Sequence, residues 1–186
     1  MARTSTEVLV GTGTFFVAPQ GESYPADPTV TPAGNWEDPG YSTEGWSFGL
    51  DRTFEDVPVA EEVDPVRVLK TEQSITVAGI MAQATLENMT LSFGGGSIAD
   101  DTPAAGFRTY TPPASDSFLE KSVLLRTLAP PGDGTELRDF QVPRVIATGA
   151  VEIQHAKAPQ ITEVAVEWRA LLPTATDIFT IIEDKV

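Results

Sequence analysis

The sequence predicts a mainly β protein, a β-sandwich or half-barrel of antiparallel strands with one short flanking α-helix. Apolar residues recur at period two along several short stretches. Gly and Pro, 15 of each, punctuate the chain between those stretches. Only one segment switches to the helical period. A chain of 186 residues is within the size of one domain and can bury a core without disulfide or metal staples. Residues 1–186 are therefore read as a single β domain, with long loops or arms at about 20–44, 51–65 and 97–117.

Each element has a local reason. Val8 to Val17 is apolar and β-branched around Gly11 and Gly13, and reads as an opening strand or hairpin. Gln20 to Tyr41 is crowded with Pro, Gly, Asp and Asn, the composition of a long loop. Gly45 to Thr53 is a strand with Trp46, Phe48 and Leu50 on one side. Asp51 to Pro65 alternates acidic and apolar residues and contains Pro58 and Pro65, which suits an extended arm better than a core strand. In the next strand Ile75, Val77 and Met81 share one face, with Ser74, Thr76 and Ala78 on the other. From Gln83 to Phe93 the period changes. Leu86, Met89 or Thr90, and Phe93 fall on one face of a helix about three turns long, and Gly94 to Gly96 stop it. Ser97 to Ser117, rich in Asp, Pro and Ala, reads as a second loop.

The last third alternates well. Leu119 to Leu128 is a strand closed by the turn from Pro130 to Gly134. Asp139 to Val142 and Val145 to Gln154 follow as separate strands, the second with Val145, Ala147, Val151 and Ile153 on one face. Thr162 to Leu172 has the cleanest pattern. Val164, Val166, Trp168 and Ala170 point one way, and Glu163, Ala165, Glu167 and Arg169 the other. Asp177 to Ile182 is a terminal strand.

Charge narrows the partners. Lys and Arg number 12 against 27 Asp and Glu, a formal net charge of −15. Gripping a nucleic acid needs a basic surface, because cations must replace the counterions around the phosphates. This chain has no broad one to offer. Acidity can simply aid solubility, or it can line a passage that must let DNA through without holding it. No cysteine is present, so disulfides and thiolate metal sites are excluded. No apolar run approaches the length of a membrane span, and Met1 to Val10 lacks the apolar core of a signal peptide. The expected site of synthesis is a cytoplasm.

Catalytic patterns do not form. His155, beside Lys157, is the sole histidine, and nothing near it resembles a nucleophile with an orienting acid. Asp100 and Asp101 read as a solvated turn rather than a cation site. Gly11 and Gly13 lack the third glycine and the helix of a dinucleotide fingerprint, and Gly94 to Gly96 lack the Lys-Ser or Lys-Thr of a phosphate loop. The glycosylation-like Asn88 to Thr90 sits on the expected helix and is read as chance. The chain is not read as an enzyme. No cofactor and no metal is expected.

Two features ask for a cause. Loops of about 22 and about 21 residues are long where connections usually take about 4–6, and apolar anchors such as Trp36, Tyr41, Phe54, Val57 and Val59 lie in or beside the first of them and in the arm. Open sheets also leave edges that pair with other strands. A protein that builds rings uses such edges, closing a barrel between subunits.

The order of residues resembles a known family. Gly40 and Gly45 lead into Trp46, Phe48, Leu50 and Asp51. The acidic run from Phe54 to Glu62 follows, then Pro65 to Val68, then Thr71 to Ala82, which runs into Thr85 to Leu91. This arrangement, with Glu163 to Trp168 near the end, resembles the major tail tube proteins of long-tailed, siphovirus-like bacteriophages. The likeness covers roughly residues 34–95 well and 140–182 loosely, and the order of elements carries it rather than any one motif. The chain departs from the family pattern in its Pro-rich loop of the 20s and in the 97–117 insertion.

The resemblance implies hexameric rings stacked into a tube. In that picture each subunit adds strands to a continuous inner barrel, the helix packs outside the sheet, and arms bridge successive rings. The genome and a tape-measure protein pass through an acidic lumen, DNA is conducted without specific binding, and the protein resides in the virion tail after synthesis in the host cytoplasm. On this reading Glu163 and Glu167 face the lumen or, equally, a neighbouring subunit. Trp46, Phe54, Glu55, Asp56, Val57, Val59, Glu61 and Glu62 belong to an inter-ring arm. Ile75, Val77, Leu86, Phe93, Val164, Val166 and Trp168 form the core. The alternatives are another virion β-sandwich, such as a tail terminator ring, or a carbohydrate- or receptor-binding module.

Overall fold

The computed structural model describes residues 13–58, 60, 64–101, 106–114, 118–129, 136–151, 153–154, 162–173 and 177–184. The strands are β1 (Thr14–Pro19), β2 (Ser42–Val57), β3 (Arg67–Met81), β4 (Ser97–Asp101), β5 (Phe107–Thr111), β6 (Lys121–Leu128), β7 (Leu137–Ala147), β8 (Ile153–Gln154), β9 (Glu163–Ala170) and β10 (Thr180–Glu183). One helix, α1 (Leu86–Ser92), follows β3. The main sheet runs β1-β6-β7-β9-β3-β2, with β10 beside β7 and β8 beside β9, while β4 and β5 form a separate two-stranded sheet. Every pairing is antiparallel. The protein is mainly β, and its sheet does not close into a barrel.

The sheet nevertheless rolls until its two end strands meet. Phe15 on β1 stacks on Trp46 on β2, with ring centroids 4.0 Å apart and planes 17° apart. Trp168 on β9 stacks on Phe15 from 5.1 Å, and Phe48 on β2 reaches Phe140 on β7 at 5.3 Å. The concave face of this roll is the core. Ile75, Val77, Met81, Val123, Val142, Val145, Val164, Val166 and Trp168 are all buried there. Burial of each such side chain stabilises by about 1.5–3 kcal/mol before entropy is charged against it. Gly79 is a strand glycine because Trp46 lies across it. A Cβ at that position would sit 2.3 Å from the indole ring.

Several boundaries differ from the sequence reading. β1 spans Thr14–Pro19, and residues 8–12 of the expected opening strand or hairpin lie outside the described set. Residues 139–142 and 145–147 belong to one strand, not two. β7 passes through Pro143 because a register shift between Lys121 and Val123 opens a bulge opposite it, where Ser122 Oγ donates to the Pro143 carbonyl at 2.9 Å. The strand expected to continue to Gln154 breaks at residues 148–151, leaving the short β8. The 97–117 region contains the β4-β5 hairpin rather than loop alone. The turn at 130–134 and His155 lie outside the described residues.

The helix is shorter than expected and turned about its axis. Thr85 caps it, its hydroxyl accepting from the Asn88 amide at 3.1 Å. Gly94, at φ +73°, ends it, and the Gly95 N–H donates to the Thr90 carbonyl in a Schellman-type bond. Between these caps only about two turns fit. Asn88 and Ser92 are buried and Leu91 packs on the core. Leu86 is only half-buried. Phe93 is 39% exposed and stacks on Tyr110 of β5 at 5.7 Å. Phe93 is therefore not a core residue: as the C-cap it leaves the helix before it can turn inward. Asn88 explains the rotation, because its side-chain amide donates to the carbonyls of Pro39 and Gln83, each at 2.8 Å. A buried amide with two good acceptors fixes the helix face more firmly than one more leucine would.

Candidate assembly surfaces

Three surfaces follow from this geometry. The first is the convex side of β1-β6-β7, and it is already covered. Ser122 and Leu124, which face away from the core residues Val123 and Leu125, are buried like them. The cover is the 20–41 loop of the same chain. Glu37 and Val17 exchange two backbone hydrogen bonds, at 2.9 and 2.8 Å. Gly21 donates to Ser122 Oγ, and the Tyr24 hydroxyl donates to the Val123 carbonyl, each at 3.3 Å. Tyr24 also packs on Trp36, and its burial pushes its phenol pKa up. Pro28 is fully buried. Arg126 ties loop to sheet: its Nε and one Nη donate to both oxygens of the wholly buried Asp139, at 2.7 and 2.8 Å, and its other Nη donates to the Val30 carbonyl at 3.0 Å. The long loop is thus seated on its own sheet.

The second surface is the convex side of β9-β3-β2, which among the described residues is left open except where residues 148–150 meet Glu167. Register places Ala78 between Ser47 and Glu167, and Thr76 between Gly49 and Arg169. Small and hydroxyl side chains make this face flat. Glu167 is exposed and Glu163 half-buried upon it, and Arg169 reaches Glu72 at 3.4 Å. The outward-facing alternation read from the sequence is present, with the apolar partners of these residues buried. What this face meets in an assembly is a matter for proposal.

The third surface is a projecting ribbon. β9 pairs with β3 only from Thr76 to Met81, so β3 before Thr76 has β2 as its sole partner among the described residues. The described residues from Asp51 to Pro58 and from Asp64 to Glu72 are all exposed. The arm is thus a paired two-stranded ribbon with a bulge between Thr53 and Phe54, rather than a single extended segment. Phe54 is 58% exposed, Val66 62% and Val68 55%. An isolated ribbon of this kind is marginal in water, and clustered exposed apolar residues mark an interaction site. Glu55, Asp56 and Val57 lie on it; Val59, Glu61 and Glu62 lie outside the described residues. Trp46 does not belong with them. It is held in the Phe15–Trp168 stack at the base of the strand, because its ring covers Gly79 and closes the roll.

Among the described residues no group of three or more His, Cys, Asp or Glu could hold a metal ion, and no helix is long and apolar enough to cross a membrane. The ion pairs instead join elements. Arg144 binds Glu120 and lowers its carboxyl pKa chiefly through their hydrogen bond. Arg108 of β5 bridges to Glu87 of α1 at 2.7 Å and to Asp100 of β4 at 3.0 Å.

Comparison with curated proteins gives no match. A family model described as phage tail tube protein matches residues 1–186. With a mainly β fold, an unclosed sheet and a bare ribbon, this chain belongs to the phage tail tube protein family, structural components of the virion tail that assemble as many subunits into a tube with other tail proteins.

Proposed function

We propose that copies of this chain close into rings, six to a ring as the resemblance implies, and that the rings stack into a hollow conduit for delivery of the phage genome. The observation that carries this reading is the contrast on the sheet's convex side. The β1-β6-β7 half is sealed by the chain's own loop, while the β9-β3-β2 half is left largely open by the described residues and ends in an edge strand, β2, whose outer side has no partner strand among them. An unpaired edge beside a flat face favours addition of a neighbouring strand, and repetition around an axis closes a ring.

In the ring, Glu163 and Glu167 face the bore. A net charge of −15 per subunit keeps a polyanion moving by repulsion and denies it the cationic contacts that would hold it. The ribbon bearing Phe54, Glu55, Asp56 and Val57 bridges successive rings, and a tape-measure protein occupies the lumen before the DNA does. No chemical step is involved.

Electron microscopy of the purified protein over a range of concentrations tests the assembly, with hollow tubes as the expected outcome. A monodisperse monomer at every concentration would end the proposal. Replacing Glu163→Lys and Glu167→Lys together tests the bore: tubes should still form, and DNA ejection should fall. Intact tubes with unchanged infectivity place those residues elsewhere.

A further inference from the structure

Stacking leaves open what receives the ribbon, and charge supplies an answer. In a chain with 27 carboxylates and 12 cations, the stretch Val66–Lys70 holds Arg67 and Lys70 and no acid. All five residues are exposed, and they lie along the ribbon edge that has no partner strand among the described residues. Of the ribbon's carboxylates, Glu55 and Asp56 lie opposite Leu69 and Val68 on β2, one strand spacing of about 4.8 Å behind that edge, while Asp64 and Glu72 flank the stretch on either side and Glu72 is engaged by Arg169. A partner approaching between Val66 and Lys70 therefore meets two cations and three apolar side chains.

A groove of matching character lies at the far end of the same strand. It runs between α1, the 37–39 segment and β4, and its lining includes Glu37, Asp38 and Glu87, with Leu91 and Ile98 as apolar surface. Lys121 is the one cation among its lining residues, and Glu87 also holds Arg108. The groove is preformed, because Asn88 pins α1 to the 37–39 segment through the Pro39 carbonyl. The ribbon cannot fill it within one subunit. β3 runs from the ribbon to the helix, and its 15 residues put roughly 45–50 Å between the two.

We propose that Val66–Lys70 of one copy docks into the acid-rimmed groove beside α1 of a second copy in the adjacent ring. The contact is head to tail, so it repeats without closing and propagates along the tube axis. Arg67 and Lys70 meet the Glu37 and Asp38 rim, and Val66, Val68 and Leu69 lie against Leu91 and Ile98. The docking rests on the stacked-ring reading above.

The chain has no cysteine, so introduced thiols report contacts cleanly. A variant carrying Val68→Cys and Gln83→Cys, oxidised mildly after assembly, should give an open-ended ladder of covalent multimers on a non-reducing gel, with none beyond dimers from either single variant. Arg67→Glu should raise the protein concentration needed for tube formation about tenfold, and Glu37→Arg in the same chain should recover most of that loss. Tubes that form without a ladder and ignore the charge reversal overturn the docking and leave stacking intact. Failure of the unmodified protein to form tubes overturns the stacked-ring reading itself, and microscopy detects that before any variant is made.

Discussion

The two halves of the convex sheet face solve the same problem differently. On β6 and β7 the outward residues include Ser122, Arg126 and Asp139, each engaged by the 20–41 loop or by its cross-strand neighbour, with Leu124 and Gln141 buried beside them. On β9, β3 and β2 the outward residues include Ser47, Gly49, Thr76, Ala78, Glu163 and Glu167; the 20–41 loop does not cover them, and the 148–150 segment reaches this face at Glu167. The first half has the buried polar pairs and apolar contacts of an interior. The second has the small, hydrated side chains of a surface that can face water or slide against another sheet at little cost. The covered flank is completed within the subunit, and the other is the one that the ring proposal assigns to its neighbours.

Removing Asp139 tests the covered half with the largest expected effect. Asp139→Ala leaves the Arg126 guanidinium, whose side chain is only 11% exposed, without its carboxylate. Breaking a buried pair from one side costs about 3–5 kcal/mol, to be read as a fall in the denaturant midpoint of the monomer. By contrast, Glu167→Lys on the open half should shift it by less than about 0.5 kcal/mol. Equal losses at the two sites would break the comparison.

The seam between the halves comes next. Trp46 joins β2 to β1 through Phe15 and covers Gly79. Because it is half-exposed, Trp46→Ala should cost about 2–3 kcal/mol, below the range for a fully buried indole. Trp168→Ala, at 1% exposure, should cost about 3–5 kcal/mol and serves as the reference. If Trp46→Ala were silent, the roll would be held by hydrogen-bonded strands alone and the aromatic seam would be incidental.

How much of this could be read from residues alone depends on the range of the forces involved. The faces of β9 and of β3 were legible, because period-two alternation is a local signal and each face has one environment along its length. The ribbon's departure from the body was legible in Pro58, Pro65 and the acidic run. The register of α1 was not. It is set by Asn88 reaching Pro39, 49 residues away, and a pattern search sees an asparagine there as a polar position. Phe93 was misplaced for the same reason. The loop at 20–41 reads as a loop from its composition, and its partners are Ser122, Val123 and Arg126, about a hundred residues on. Composition announces a loop but not the surface that will order it. The β4-β5 hairpin was hidden by the Asp, Pro and Ala around it, since its cross-strand pairs and the Arg108 bridges appear only once the chain has folded.

That hairpin gives the smallest expected effect. It joins the body through Arg108 to Glu87 and through the Tyr110 hydroxyl to the Gly95 carbonyl. The Glu87 carboxyl pKa is held below its ordinary 4.5, first by its own backbone N–H in the first turn of α1 and then by Arg108. A depressed carboxylate contributes stability that is complete above its unfolded value and is lost as pH falls through its folded one. Acid should therefore loosen β4-β5 below about pH 4.5 while the main sheet persists. Amide exchange of residues 107–111, corrected for its intrinsic pH dependence, should quicken in that range, and Arg108→Gln should flatten the response. The groups are half-exposed, so the change is confined to local opening and leaves the global midpoint nearly unmoved. Simultaneous loss of protection in β6 and β7 would mean that the hairpin is part of the covered half's cooperative unit and not an appendage clipped to it.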